Sequence, residues 1–172
     1  MDFLELAAAR YSVRKFTREP IDRGDMDKLI KAALLAPTAC NRQPQRILVI
    51  DGDEGVQKLG KCTECHFDAP SAILVCYDKT ECWVRGYDGK TSGEVDASIV
   101  AAHIMLEAAD LGLGTTWVMH FIPEAVRCEF NIPDNIEPTA LLVIGRPAED
   151  AEPSPLHFKS KTADELVFRN KI

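Results

Sequence analysis

The apolar run at residues 95–111 is the feature that most constrains how this chain folds. Its apolar side chains cover nearly the whole circumference of a helix: Ile99, Val100, Ala101, Ala102, Ile104, Met105, Leu106, Ala108, Ala109 and Leu111. A helix that is apolar all round must be buried on every side, and a domain of 172 residues rarely achieves this alone. The run therefore predicts a helix at a subunit interface, where small Ala residues permit close approach. A central helix of a monomer is the alternative.

A second feature is the basic sequence Arg-Tyr-Ser-Val-Arg-Lys-Phe at residues 10–16. In an extended segment Arg10, Ser12 and Arg14 would point to one side, because side chains alternate along such a backbone. Guanidinium forks match the geometry of carboxylates and phosphates, so this alternation favours a small phosphorylated ligand. The same residues also suit a solvated basic patch at the end of a first helix, where cations complement the helix dipole.

Hydrophobic spacing outlines the remaining elements. The predicted helices besides the apolar run include residues 2–9 and 122–130. Another predicted helix follows Asp22 as its cap, carries its apolar face on residues 26–34, and ends before Pro37. The predicted strands lie at residues 47–50, 71–77, 115–119 and 139–145. The apolar runs at residues 47–50 and 139–145 indicate buried strands. The Asp-Gly-Asp sequence at residues 51–53 is typical of a turn. Residues 38–45 form a polar loop with a hydroxyl and two amides between prolines, which suits either a ligand contact or a well-made turn.

The composition of the chain limits the classes of function that it can have. Hydrophobic residues make up 46% and charged residues 27% of the chain, as in an ordinary soluble globular protein. The net charge of −7 argues against a nucleic-acid or anionic-membrane binder, which would need a basic face. No apolar run approaches the roughly 20 residues that span a bilayer. Because the first residues lack the pattern of a signal peptide, we expect a cytoplasmic protein.

The chain has six cysteines, and the Cys-Thr-Glu-Cys-His sequence at residues 62–66 leaves several interpretations open. Its spacing fits a redox dithiol, one half of a zinc site, or c-type haem attachment. Haem attachment normally needs export, and zinc usually takes a second ligand pair that has no clear counterpart here. Reduced thiols in a loop, as expected for a cytosolic chain, are the preferred interpretation.

The basic sequence at residues 10–16 resembles the opening signature of the nitroreductase family of FMN-dependent oxidoreductases. Three later segments resemble further family marks in the same order: Ala-Pro-Thr-Ala-Cys-Asn-Arg-Gln-Pro at residues 36–44, Asp-Leu-Gly-Leu-Gly-Thr-Thr-Trp at residues 110–117, and Ile-Gly-Arg-Pro at residues 144–147. Lys-Ser-Lys at residues 159–161 resembles the terminal basic pair. The chain departs from the family at Gln45, where many members carry Trp, and at Thr38, which replaces Ser.

The resemblance implies an α+β fold over residues 1–172, a three-layer α/β/α sandwich with a mixed, mainly antiparallel sheet. It also implies an intertwined homodimer with two FMN molecules at the interface. The residues that it assigns to FMN binding are Arg10, Ser12, Arg14, Pro37, Thr38, Ala39, Asn41, Gln43, Trp117, Val118, Met119, His120, Lys159 and Lys161.

Within this set the resemblance implies distinct roles. Arg10, Ser12, Lys159 and Lys161 would hold the phosphate. Arg14 would lie near the pyrimidine edge of the ring, where a cation stabilises negative charge that develops on reduction. Residues 117–120 would lie against the flavin, with a backbone N–H of Met119 or His120 near the ring nitrogen N5.

The function that follows from the resemblance is NAD(P)H-dependent reduction of nitroaromatic, quinone or similar small organic acceptors by ping-pong hydride transfer. No protein side chain is predicted to be catalytic, since flavin N5 would carry the hydride. NADH and NADPH both remain open, as does the acceptor. The alternatives are a flavin-dependent dehalogenase on the same scaffold, a flavin-binding redox sensor, and a metal-binding module using Cys62 and Cys65. Residues 81–93 would either cover the flavin or form a surface loop.

Overall fold

The structure is a computed structural model that describes residues 2–172. Its helices are α1 (Phe3–Ala9), α2 (Arg23–Leu35), α3 (Gly52–Cys62), α4 (Gly93–Asp110), α5 (Pro123–Phe130) and α6 (Ala163–Leu166). Its strands are β1 (Gln45–Ile50), β2 (Ser71–Asp78), β3 (Gly114–Val118) and β4 (Ile136–Gly145). No helix in this part of the chain is both long enough and apolar enough to cross a membrane.

The four strands form one sheet in the order β1-β2-β4-β3, and every neighbouring pair is antiparallel. Within residues 2–172 the parallel component is a single bridge, in which Ser12 pairs with Thr115 beside β3. The expectation of a mixed, mainly antiparallel sheet is therefore confirmed. The N-terminal segment acts as a short extension of the sheet beyond β3.

Side chains alternate between two cores because successive residues of a strand point to opposite faces. On one face Ile73 and Leu142 pack with α2 and α4. On the other face Leu74 and Leu141 pack with α3 and α5. Helices thus cover both faces of the sheet, and the predicted three-layer α/β/α sandwich is confirmed.

Helix α4 extends over Gly93–Asp110, close to the predicted 95–111, but one chain does not bury it on every side. Val100, Ile104 and Ala108 are fully buried against the sheet. On the outward face Ile99 is only half-buried, and Val95 is 54% exposed. The sequence thus predicted more burial for this helix than a single chain supplies, and an apolar strip remains accessible.

Two elements differ from the sequence prediction. Helix α3 was not predicted, because Asp51-Gly52-Asp53 was interpreted as a turn. Gly52 does take the left-handed φ of +66° that a turn requires, yet the helix begins there with Asp51 as its N-cap residue. Strand β1 was predicted to be buried but is mostly half-buried, because it forms a sheet edge and pairs only with β2.

The first residue of α4 allows a test of how tightly this helix is docked. A Cβ atom added to Gly93 would lie 2.3 Å from the ring of Tyr77, whereas a Cβ on Gly24 in α2 would meet nothing within 4 Å. We expect Gly93→Ala to destabilise the fold by about 1–3 kcal/mol through overpacking. The control Gly24→Ala should stabilise it by about 0.4–1 kcal/mol. Denaturant unfolding of both variants measures this, and equal shifts would contradict the packing described.

Candidate functional site

The N-terminal segment is fixed along the first residues of β3. The Val13 N–H donates to the carbonyl oxygen of Thr115 at 3.0 Å, and the Thr116 hydroxyl donates to the carbonyl oxygen of Val13. Val13 is buried against Gly114, where an added Cβ would lie 2.6 Å from the valine side chain. Val13 therefore points inward while Arg14 is exposed, as the predicted alternation of an extended segment requires.

The C-terminal part of the chain packs against the same segment. The Tyr11 hydroxyl donates to the carbonyl oxygen of Ala151 at 3.2 Å, and the Tyr11 ring makes an edge contact with His157, with centroids 6.3 Å apart. Lys159, which follows His157 by two residues, and Lys161 are both exposed. The structure thus brings together the two segments that carry the basic residues predicted to hold a phosphate.

The charges in these segments are available to a ligand. Among residues 2–172, no carboxylate lies within ion-pair distance of Arg10, Arg14, Lys159 or Lys161. Arg14 donates to the carbonyl oxygen of Ser12 at 3.3 Å, so its guanidinium folds back along the segment. Free guanidinium and ammonium groups near a hydroxyl form a donor set suited to a phosphate.

The polar loop before β1 has an unusual backbone. Cys40, Asn41 and Gln43 have φ values of 51°, 53° and 51°, a left-handed conformation that costs a non-glycine residue about 1–3 kcal/mol. The Gln43 N–H donates to the Thr38 hydroxyl at 3.0 Å, and the Gln43 amide donates to the Asn41 side chain at 2.9 Å. These bonds hold the strained turn together, with the Asn41 and Gln43 side chains exposed.

The same loop is attached to α4 by a residue that sequence reasoning missed. The Ala39 N–H donates to the Asp96 carboxylate at 2.9 Å, and the Ser92 hydroxyl donates to its other oxygen at 2.7 Å. Asp96 is only 2% exposed. Asp96 is the one buried acid among the four acids of α4, and a buried carboxylate needs donors. Pro37 lies exposed just before this attachment.

The other predicted flavin contacts lie at the end of β3. Trp117 is half-buried on the α4 side of the sheet and donates to the sulfur of Met119 at 3.2 Å. Val118 is buried on the opposite side, while Met119 and His120 are exposed. The carbonyl oxygen of His120 accepts a hydrogen bond of 2.5 Å from the Thr63 hydroxyl. Sequence reasoning missed that contact, which joins residues 57 positions apart.

Within one chain these predicted parts are only partly assembled. The loop at residues 38–43 leads into β1, and residues 117–118 belong to β3, at the opposite edge of the sheet. Three strand spacings separate these edges, roughly 14 Å, and the segment containing Ser12 lies one spacing further out, roughly 19 Å from β1. The structure therefore unites residues 10–14 with β3 and the C-terminal segment, but leaves the residue 38–43 loop on the far side.

The surface grooves of residues 2–172 show that one chain alone does not form a large cleft around the predicted FMN-binding residues. Arg10 and Tyr11 line a small groove of about 160 Å³ between α1 and the end of α4. A larger groove of about 860 Å³ lies between the starts of α2 and α3, with Arg18 and Asp53 among its lining residues. This larger groove contains none of the residues predicted to bind FMN.

The cysteine sequence at residues 62–66 begins at the end of helix α3, a position that its spacing did not reveal. Cys62 is the last residue of α3 and is fully buried, and burial raises the pKa of its thiol above the ordinary value. All six cysteines are free thiols. Within residues 2–172 no three His, Cys, Asp or Glu side chains are grouped so as to hold a metal ion. The zinc alternative therefore has no further ligands in this part of the chain.

The segment at residues 81–93 is a short hairpin-like loop on the surface. Val84 pairs with Thr91, and an ion pair between Arg85 and Asp88 closes its tip. Tyr87 is 99% exposed at that tip. The role of this loop as a cover over the flavin stays a prediction.

The fold and the arrangement of these segments define a class of α+β proteins in which a basic, extended N-terminal segment lies beside the edge strand β3 of an antiparallel sheet. The sequence profile described as Nitroreductase family matches residues 7–75 and 66–146. The chain therefore belongs to the nitroreductase family, and the resemblance seen in its motifs is confirmed.

Individual relatives agree with this assignment. A nitroreductase family protein from Clostridium difficile 630 has a solved structure with a TM-score of 0.94 and 42% identity over the whole of both chains. An FMN-dependent nitroreductase from Clostridium difficile R20291 gives a TM-score of 0.80 at 26% identity, covering 99% of this chain and all of the other. A Methanothermobacter thermautotrophicus protein provisionally named an NADH dehydrogenase/NAD(P)H nitroreductase is 31% identical, covering 87% of this chain and 80% of its own length.

Proposed function

We propose that this chain is an FMN-dependent oxidoreductase that uses NADH or NADPH to reduce small organic acceptors such as nitroaromatics and quinones. The observation that carries the proposal is the extended segment at residues 10–14, which presents free cations and a hydroxyl beside β3 and the C-terminal segment. Family membership and the relatives named for NAD(P)H and FMN support the same activity.

The residues in these segments suit the phosphate of FMN. Arg10 and Ser12 can donate from the N-terminal segment, while Lys159 and Lys161 add positive charge from the C-terminal one. Arginine is well matched to phosphate because its planar donors form paired hydrogen bonds. These four side chains would hold the phosphate group and fix the register of the cofactor along β3.

Other groups would orient the ring and its substrates. When bound, FMN supplies the two-electron redox chemistry between the nicotinamide and the acceptor. Arg14 is exposed and would place a cation near the pyrimidine edge, and a backbone N–H of Met119 or His120 would orient the ring at N5. The nicotinamide and the acceptor would occupy the same cleft in turn, which gives ping-pong kinetics. No side chain of the protein is needed as a nucleophile.

A second copy of the chain would complete the site, and the exposed apolar surface supports a homodimer. Large exposed apolar residues on the helices and the C-terminal segment include Phe3, Leu4, Leu34, Leu35, Val95, Leu156, Phe158, Leu166, Val167 and Phe168. Exposed apolar surface of this extent is typical of an interface. Pairing of two copies through α4 would bury its apolar strip and bring the residue 38–43 loop of one protomer to β3 of the other.

The proposed activity predicts a defined reaction sequence. FMN-loaded protein mixed anaerobically with NADH or NADPH should lose its visible flavin absorbance in a stopped-flow instrument. Addition of a nitroarene or a quinone should restore that absorbance, and steady-state plots at several acceptor concentrations should be parallel. Free FMN at the same concentration serves as the control. If neither NADH nor NADPH bleaches the bound flavin, the oxidoreductase proposal is wrong and a flavin-binding sensor is favoured.

The phosphate assignment predicts a specific loss of affinity. Arg10→Ala should weaken FMN binding by about 10- to 100-fold, because it removes a charge-assisted hydrogen bond to the phosphate. Arg18→Ala is the matched control, since Arg18 also has no ion pair within residues 2–172 but lines the larger groove. Fluorescence titration of apoprotein with FMN measures both constants. If the two variants bind FMN equally well, Arg10 does not hold the phosphate.

A site shared between subunits predicts complementation between two defective variants. Arg10→Ala and Asn41→Ala protomers, mixed by unfolding and refolding, should form dimers in which one site combines the intact Arg10 and Asn41 from different subunits. About one quarter of all sites should then bind FMN normally, as random pairing of a two-fold dimer requires. If both residues come from the same protomer, every site carries at least one defect and the titration shows no recovered sites.

A further inference from the structure

We infer that Thr63 is a positioning residue for residues 119–120, the flavin segment, which would donate a backbone N–H to the flavin. This positioning is the contribution of the Cys-Thr-Glu-Cys-His sequence to the enzyme. The inference rests on the proposed function for its catalytic consequence. The structural observation is that one hydroxyl group holds the backbone between β3 and α5.

The contact joins two parts of the chain that are far apart in sequence. The Thr63 hydroxyl donates to the carbonyl oxygen of His120 at 2.5 Å, and the same oxygen of Thr63 accepts the N–H of Cys65 at 3.0 Å. One hydroxyl thus serves as donor and acceptor at once. Thr63 is only 6% exposed, so the hydroxyl end of this bond is shielded from water, and loss of the bond would leave the carbonyl oxygen of His120 without this donor.

The end of α3 provides a rigid base for this contact. Thr63 is the C-cap residue of α3, and its own N–H donates to the carbonyl oxygen of Leu59. The Ile122 N–H donates to the carbonyl oxygen of Cys62 at 2.9 Å. Residues 120 and 122 are therefore both attached to the last turn of α3, one through a side chain and one through the backbone.

The exposed residues at the end of β3 depend on this attachment. Val118 is the last residue of β3, so Met119 and His120 have no strand partner in the sheet. Their side chains are exposed. The Thr63 hydroxyl is the first polar contact after the strand ends that fixes the backbone on which the proposed donor to N5 lies.

The neighbouring residues of the cysteine sequence do not replace this function. Cys62 directs its thiol to the carbonyl oxygen of Lys58 within its own helix. His66 accepts from the N–H of Asp68, two residues along. Both side chains serve local structure, so the link to the flavin segment comes from the threonine between the cysteines.

The test compares variants that differ in one hydroxyl group. Thr63→Val keeps the shape of the side chain but removes the hydroxyl, and Thr63→Ser restores it. Lys61→Met is the matched control, because Lys61 links α3 to α5 through an exposed ion pair with Glu129 at 3.0 Å and leaves residue 120 untouched. Thr63→Ala replaces Thr63→Val should that variant not fold.

The first readout is amide hydrogen exchange of the flavin-free protein. Thr63→Val should accelerate exchange in the peptide covering residues 119–122 by about five- to tenfold, the effect of losing one hydrogen bond. Exchange in the central strand β4 should stay unchanged, and Thr63→Ser and Lys61→Met should match the natural chain. Unchanged exchange in Thr63→Val, or the same acceleration in Lys61→Met, would overturn the structural part whatever the protein catalyses.

The second readout is the rate at which NAD(P)H reduces the FMN-loaded enzyme. Thr63→Val should lower this rate by about tenfold, since small misplacements of reacting groups are costly, while the apparent nicotinamide affinity stays the same. Thr63→Ser should recover the rate. If the natural chain itself shows no reduction, the proposed function fails; if it does and Thr63→Val is equally fast, only the positioning role fails.

Discussion

Burial of helix α4 is the constraint on which the remaining structure depends. Its inner face packs on the sheet through Val100, Ile104 and Ala108, and its first residue is a glycine because the Tyr77 ring leaves no room for a Cβ. Its two ends also lie beside the two separate parts of the candidate site. Asp96 near the start holds the residue 38–43 loop, and Ala109 near the end borders the groove beside Arg10. These positions are roughly 20 Å apart along the helix axis.

The fold was predictable where residue pattern and burial agree. Strands β2 and β4 read as continuous apolar runs because both of their faces are covered by helices, and α4 was recognised from its unbroken apolar surface. Helix α3 escaped prediction although Val56, Leu59 and Cys62 recur at helical spacing, since its N-terminal Asp-Gly-Asp is equally typical of a turn. Strand β1 was recognised, but its exposure depends on strand order, which a local pattern does not contain.

The candidate site, like the fold, was predictable only in part. Alternation of polar and apolar residues identified the orientation of Val13 and Arg14, because an extended backbone fixes which side each residue faces. Asp96 and Thr63 were not recognised, since the contact that links each of them to the candidate site joins residues 57 positions apart in the sequence. Contacts of that kind arise only when the layers pack, so no local window of the sequence reports them.

The placement of the N-terminal segment has a consequence for biosynthesis. Its hydrogen-bond partners beyond α1 include Thr115, Thr116, Arg146 and Ala151, all in the last third of the chain. During translation the segment at residues 10–16 therefore has no place to dock until about a hundred further residues have followed, a delay of roughly ten seconds. The basic segment lacks its partners in the sheet for that interval.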